Sequence, residues 1–542
     1  MSFIDRQLAF MFQNSPLRHP VFSLFYSGCV CTALGYTMQG TLAAWLMATL
    51  STSAVMVALV QTATAGPVLV FGLIAGFVAD SMDRRRMILI TQWVMLTAVL
   101  ALSAMESTHH LTPAVLLSLT VLVGVGFAFY LPAQMASIQS MVTRAELPAA
   151  SALNAVAFNA ARAVGPAFAG ALVIGLSAGS ALLASAAFFM VTIAIVYRWQ
   201  PGPQLLPGPT EGLLKGVQAG LRFAWHSQAL RAVTARNVSF SFCASAFWAL
   251  LPLIAKEQLR AGAGGFGLLF TAFGLGAIFG AWLTPALIRR TSLNATTNWG
   301  ALVWAAAVAV VAWANWPSAI IGGAFVAGSA WVAVLSSLSA GTQSRAPTWM
   351  RARAVSIYIV GTQAGLAIGS AVWGTVASLM GVRLALLCSV GVLVVAYVLL
   401  RQLRVQPGTE ADTLPNPSVA ELSITHTPDP EDGPVLIQFE YHIDLAHQAE
   451  FVQAMDAVGP ARRRSGASNW GVFRDLNDSN RFVERYVITS WADYLRQRER
   501  MTQADKLRHE KATRFQKADV PIKLSRFIGV EAGSLSSDKT IA

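Results

Sequence analysis

The sequence predicts an all-α polytopic membrane protein, twelve transmembrane helices in two six-helix halves, followed by a C-terminal α+β domain of ferredoxin-like order. Three observations predict it. Only 12% of the 542 residues are charged and 55% are hydrophobic, with mean hydropathy +0.53. A soluble chain is about 25% charged, so this one has too few charges to coat a water-facing surface. The charges are also uneven: 22 Lys/Arg and 7 Asp/Glu in residues 1–405, against 17 and 20 in residues 406–542. Finally, apolar runs long enough to cross a hydrocarbon core of roughly 30 Å as helices recur through the first part only.

Those runs lie near 21–49, 54–79, 87–105, 112–138, 149–175 and 179–199, then 232–255, 264–288, 297–315, 317–342, 354–380 and 382–403. Twelve spans put both chain ends on one side. Seventeen basic residues fall in segments on that side, including Arg84–Arg86, Arg289 and Arg290. Only Lys256, Arg260 and Arg383 fall opposite. By the positive-inside rule both termini of this multi-pass chain are expected in the cytoplasm. The basic excess lies in short loops rather than in a stripe or arm, so nucleic acid is not an expected partner; the lipid bilayer and a small-molecule substrate are.

The expected boundaries follow from composition. Residues 1–200 form the first half, 201–230 a cytoplasmic linker rich in Pro and Gly at its start, and 231–405 the second half. A Pro-rich acidic linker covers 406–433, a soluble domain 434–530, and a flexible tail 531–542. The N-terminus lacks the pattern of a cleaved signal. Cys29, Cys31, Cys243 and Cys388 all fall in apolar runs and predict neither a disulfide framework nor a metal site.

The second run ends in GFVADSMDRRRM (76–87), two aspartates and three arginines after an uncharged stretch. Gly76, Ala79, Asp80, Arg84 and Arg85 resemble the loop 2–3 motif of the major facilitator superfamily, with Ser81 and Asp83 departing from it. The resemblance implies that Asp80 holds the start of the eleventh span, near Arg351–Arg353, when the transporter opens outward. A carboxylate at the positive end of a helix dipole gains about 0.3–1 kcal/mol when exposed. The plainer reading makes DRRR a topology anchor. GAWLTPALIRR (280–290) ends the eighth span similarly, a weak internal repeat consistent with parallel halves and a midplane substrate site.

FYLPAQMASIQSMV, ELPAASALNAVAFNAARAVGPAFAGAL, WALLPLIAKEQLRAGAGGFGLL and GYTMQGTLAAWL resemble, more narrowly, the bacterial transmembrane secretion effectors, the branch that includes the enterobactin exporter. The resemblance covers essentially the whole chain. It implies export of a drug- or siderophore-class molecule by alternating access. In the fifth run, Gly165, Pro166 and Gly170 resemble the end of an exporter motif; an ordinary Pro kink with small-residue packing is the alternative. Gly361, Gly365 and Gly369 read as a packing stripe.

Arg162 lies about halfway along the same run. A central Arg costs about 2.5–3.5 kcal/mol on insertion scales and should face a partner or a wet cavity. Yet Asp5, Asp80, Asp83, Glu106, Glu146, Glu211 and Glu257, the only acids before residue 406, all sit at ends or in loops. Either Arg162 ties helices through Asn154, Asn159 and carbonyls, or it binds an anionic or oxygen-rich substrate. The substrate path is expected to include these three with Gln39, Gln134, Asn237 and Gln363. Tyr36, Trp45, Tyr130 and Trp248 are aromatic candidates that could equally be packing.

In the soluble domain, VLIQFEYHID alternates as a strand and LAHQAEFVQAMDAVGPARRR has helical spacing. WGVFRDLND and RFVERYVIT read as a hairpin around Asn477–Ser479, WADYLRQRERMTQADKLRHEKATRF as a helix, and VPIKLSRFIGV as a strand. The order βαββαβ is ferredoxin-like. It resembles the dimeric α/β-barrel domains related to antibiotic-biosynthesis monooxygenases, which implies a homodimer through this domain. Trp470, Tyr441, His442 and His509 would be its catalytic candidates, but they show no metal-ligand or nucleophile–base spacing. The expectation is a transporter with no cofactor and no metal, not an enzyme; a membrane-tethered cofactor-free monooxygenase, or a sensor of the transported compound, is the alternative.

Overall fold

The computed structural model describes residues 16–143, 146–199, 213–259, 263–347, 350–405 and 428–529, with positions 408, 411 and 414. Within helices some side chains, including those of Asp80, Asn159 and Arg351, lie outside the described residues. Two compact units result. One holds nearly all of the membrane helices; the other holds residues 211–234, 339–357 and 403–542.

The first half comprises α1 (Pro20–Leu50), α2 (Ala54–Ser81), α3 (Arg84–Ser107), α4 (Pro113–Met141), α5 (Leu147–Gly175) and α6 (Ala178–Arg198). An amphipathic α7 (Leu213–His226) follows, preceding α8 (Gln228–Glu257), α9 (Ala263–Arg290), α10 (Leu293–Trp313), α11 (Pro317–Arg345), α12 (Arg351–Met380) and α13 (Val382–Leu400). Eleven of the described helices are long and apolar enough to span a membrane. The twelfth expected span is α5, 29 residues long, with Ala160–Gly175 as its apolar stretch among the described residues.

Turns between spans are cut by local chemistry. Asp83 accepts from the Arg86 amide at 2.9 Å, Thr112 from Val115, Ser177 from Ser180 and Ser292 from Ala295, each satisfying an orphan amide at a helix start. Packing between spans relies on missing side chains. A Cβ on Gly276 would strike the Phe325 carbonyl oxygen, and one on Gly328 the Phe273 carbonyl oxygen, so α9 and α11 touch backbone to backbone. Gly365 lies likewise against Ser241 and Phe242, joining α12 to α8.

The soluble domain has β1 (Val435–His442), β2 (Ser468–Arg474), β3 (Arg481–Ile488) and β4 (Lys523–Ile528), antiparallel in the order β2-β3-β1-β4. That is the ferredoxin-like arrangement, and the hairpin turn falls between β2 and β3 as expected. Two segments expected as single helices are each broken. The first divides into α14 (Gln448–Asp456) and α15 (Gly459–Arg464), because Pro460 has no amide to continue α14 but starts a new helix well. The second divides into α16 (Trp491–Glu499) and α17 (Gln503–Thr513). There Thr502 and Asp505 form a reciprocal capping box that starts a helix afresh.

Candidate functional site

The charged turn after α2 does two jobs. Asp83 is the N-cap of α3. Arg84 donates to the Ala136 carbonyl at 3.0 Å, and Arg85 donates to the Val196 carbonyl at 3.1 Å and to that of Tyr197. Both guanidinium groups therefore sit on carbonyls near the C-terminal ends of α4 and α6, where cations are favoured. The arginines brace the first half from its edge. Asp80 lies in the last turn of α2, and its side chain lies outside the described residues. A Cβ at Gly76 would meet open space. In the second unit, a Cβ at Gly220 of α7 would lie 3.8 Å from the Arg353 Cβ.

Arg162 lies at the middle of the 29-residue α5. It is half-buried, with its guanidinium carbon 5.8 Å from the centre of the Trp248 ring on α8, a cation–π contact between the two halves. Trp248 is itself wedged among Phe273, Phe270 and Trp331, and its indole nitrogen, buried, has no hydrogen-bond partner among the described residues. Tyr36 lies within electrostatic reach of Arg162 and stacks on Phe127 at 3.8 Å. Among the described residues Arg162 makes no hydrogen bond or ion pair.

The amides expected near it divide. Asn154 is occupied elsewhere, accepting from Gln134 at 2.9 Å, so it does not hold Arg162. Asn159 lies outside the described side chains. Gln39 is fully buried and reaches only Thr120, at 3.5 Å, leaving its carbonyl oxygen unpartnered among the described residues. Asn237 exchanges hydrogen bonds with Thr362 at 3.0 and 3.1 Å and donates to the Tyr358 carbonyl, tying α8 to α12. Gln363 is half-buried beside this tie. Arg162, Trp248 and Tyr36 thus come together, while Gln134–Asn154 and Asn237–Thr362 are separate interhelical clasps.

Gly165, Pro166 and Gly170 are contact residues. A Cβ on Gly165 would collide with the Thr37 hydroxyl, which itself donates to the Ala161 carbonyl at 3.0 Å. Gly170 and Pro166 face Gly267 of α9, where a Cβ would sit 3.4 Å from the Gly170 Cα. Pro166 also cannot donate to the Arg162 carbonyl four residues back, which loosens α5 where the guanidinium projects. Further contacts join the halves near the α1–α2 turn: Lys256 donates to the Ala48 carbonyl at 2.8 Å, Thr62 to that of Ala367 at 2.9 Å, and Trp45 stacks with Phe266.

Sequence reasoning overlooked Arg236. It lies within the seventh apolar run, is 7% exposed, and donates to Asn298 at 2.7 Å and to the Leu400 carbonyl at 3.0 Å. A charge inside an apolar run was the available signal; its role as a cap on the last carbonyls of α13 was not.

The soluble domain gathers Tyr441, Trp470 and His509 around a buried Glu484. Tyr441 and Trp470 donate to its carboxylate at 3.0 and 2.9 Å, Arg462 donates at 3.0 Å, and His509 meets the Tyr441 hydroxyl at 2.9 Å. His442 is outside this cluster. Burial pushes the Glu484 carboxyl up, but Arg462 and the hydrogen bonds outweigh it and hold it below its usual value. Burial, with Arg462 nearby, brings His509 down to about 4, so it is neutral at pH 7. Burial and then Glu484 raise Tyr441 well above its ordinary value. Phe482, Glu484, Tyr486 and Ile488 share one face of β3, so strict alternation could have placed Glu484 inside.

A sequence model of the transmembrane secretion effectors matches residues 12–534. The multidrug efflux pump Tap of Mycolicibacterium fortuitum is 29% identical over 196 residues, 34% of this chain and 48% of that pump. Tap of Mycobacterium tuberculosis is 27% identical over 223 residues, 40% of this chain and 53% of that pump. The chain spans about half the length of the curated relatives it matches. Among solved structures, a bacterial homologue of the lysosomal transporter Spinster, inward-facing and unoccupied, superposes with TM-score 0.58 at 13% identity, covering 72% of this chain and 98% of that one. The nucleoside transporter NupG gives 0.54 at 13% identity, covering 70% and 98%. These structures share the fold alone. Together with the family match along nearly its whole length, the two-half helical bundle places this chain among the transmembrane secretion effectors, multi-pass membrane transporters of the major facilitator superfamily.

Proposed function

We propose that the protein is an exporter in a bacterial inner membrane, both termini cytoplasmic, moving a small anionic or oxygen-rich organic molecule of the drug or siderophore class by alternating access. One observation carries this reading: Arg162, at mid-span and half-buried, lies 5.8 Å from the Trp248 ring of the opposite half and has no carboxylate partner among the described residues. An intramembrane charge left without a protein counter-ion is best satisfied by a ligand that brings one. A ligand held there touches both halves, as rocking about a central site requires. The efflux pumps among the relatives, and the contact role of Gly165, Pro166 and Gly170, support export as the direction. Asp80 is assigned as the outward-state latch and the soluble domain as a homodimerisation surface.

Transport into inverted membrane vesicles tests the central claim. Arg162→Ala should keep its place in the membrane and lose transport of anionic substrates far more than of cationic ones. Arg162→Lys should rescue partly, lacking the planar fork of Arg. Loss of all substrates in proportion to surviving protein would make Arg162 a packing residue.

A further inference from the structure

The two halves touch at the end of the bundle away from the chain termini, where α1 finishes at Leu50, α2 begins at Ala54, α8 finishes at Glu257 and α12 finishes at Met380. Lys256, in the last turn of α8, donates there to the Ala48 carbonyl at 2.8 Å. Ala48 supplies one of the last four carbonyls of α1, and Ser51 turns the chain extended (φ −136°, ψ 141°), so no further turn of helix brings it an amide. A lysine at a helix C-terminus is favoured by the hydrogen bond and by the dipole together. It usually serves its own helix; this one crosses to the other half.

Around this bond the contact is made by small groups. Thr62 of α2 donates to the Ala367 carbonyl of α12 at 2.9 Å, and a Cβ on Gly374 of α12 would collide with Ala58 of α2. A Cβ on Gly264 of α9 would stand 2.8 Å from the end of Ile174 on α5. The clasp itself is exposed, so ammonium and carbonyl both return to water when they part. A buried ion pair would resist opening, because parting it strands two charges. This bond is suited to being made and broken repeatedly.

The helix that carries the clasp has a built-in joint. Pro252 has no amide to give the Trp248 carbonyl four residues back, so one step of the ladder is unmade a single turn before Lys256. A helix bends most readily at such a step. Leu253, Ile254 and Ala255, between joint and clasp, are buried. Trp248, on the near side of the joint, is the residue that meets Arg162 at 5.8 Å. The central contact and the clasp thus share one helix, with the joint between them.

We propose that Lys256 is the gating residue at this end of the transporter, holding the two halves shut on the C-terminal end of α1, and that Pro252 is the joint on which its turn moves. The assignment rests on the alternating-access reading, in which this end opens once in each cycle. Hydrogen exchange of the full chain in detergent measures the gate without any substrate. Lys256→Met keeps the stem and removes the donor; it should speed exchange in the α1–α2 turn about tenfold, the population ratio that one charged hydrogen bond sustains. It should also speed exchange at 380–382, the α12–α13 turn that Lys256 does not bond, because the gate opens as a unit. Lys256→Arg should stay close to the parent, and Pro252→Ala, which restores the ladder bond, should slow exchange over 253–257. Three results overturn the proposal: unchanged exchange in a folded Lys256→Met protein, an increase confined to 48–53 and 254–258, or a tip no slower in Pro252→Ala. If Lys256→Met loosens both turns while Arg162→Ala keeps anion transport, the gate stands and the central site falls; the reverse pattern removes the gate alone.

Discussion

Arg162 in the membrane bundle and Arg462 in the soluble domain are both withdrawn from bulk water, and the two regions treat them in opposite ways. Arg462 is 7% exposed and wrapped on every side: Glu484 takes its charge, Phe439 and Tyr486 flank its plane at 5.1 and 5.3 Å, and Tyr441 and Trp470 complete the carboxylate. Arg162 has an aromatic face and an accessible edge. A buried ion pair is tolerable only when its remaining lone pairs and protons are satisfied, and the soluble domain meets that condition. The bundle instead keeps its acids at helix ends, where Asp83 caps α3 and Glu146 is brought down to about 2 by the Thr143 amide and hydroxyl and by His19. One arginine is matched by a carboxylate; the other makes no hydrogen bond or ion pair among the described residues.

Removing the partner should separate them most. Glu484→Gln leaves the Arg462 charge buried and unmatched, and should cost the soluble domain about 3–5 kcal/mol. Hydrogen exchange in β1 and β3 of the full chain measures it. Arg162→Ala should cost the bundle less than about 1 kcal/mol, since it removes a charge rather than stranding one. Equal costs would erase the contrast.

Acid should sharpen it. His509 titrates at about 4 in the folded domain against 6.5 as its ordinary value, so the unfolded chain binds the proton first. Stability is then fully present above about pH 6.5 and falls as pH drops toward 4, by up to about 3 kcal/mol. Glu484, held below its ordinary 4.5, adds a further loss at still lower pH. Exchange in β1 should accelerate over pH 6.5 to 4 and be flat from 7 to 8. His509→Gln should flatten the upper part of that slope; an unchanged slope would assign it to other groups.

The smallest effect tests what holds the bundle in place of charge. Gly328→Ala should destabilise it by about 1–3 kcal/mol through the Phe273 carbonyl, whereas Gly76→Ala, with nothing near its Cβ, should change stability by less than about 0.5 kcal/mol. Thermal unfolding in detergent distinguishes them. Similar shifts would mean that close backbone contact contributes little.

Much of this was legible beforehand because periodicity and charge are local properties. The membrane helices, the linker helix and the hairpin near Asn477 follow from runs and turns within a few residues of each other. The break before Thr502 was missed since a capping box competes with an equally good helical pattern, and nearby packing decides between them. Arg236 went unnoticed because its acceptors, Asn298 and the Leu400 carbonyl, are 62 and 164 residues away. Asn154 was one of several candidates to meet Arg162, beside Asn159, carbonyls and a ligand; it pairs with Gln134 on the neighbouring helix.

By itself the sequence determined that this chain must fold in a membrane, with a soluble domain appended, because composition sets which solvent each segment can tolerate. It also determined that Arg162 has no acid at its depth, a matter of counting. Only the tertiary structure decided which groups complete each arginine. Trp248 reaches Arg162 from the other half, and Glu484 on β3 reaches Arg462 on α15. Hydrogen bonds and cation–π contacts act over a few ångströms of space, and the folded chain brings together residues whose separation along the sequence carries no record of that distance.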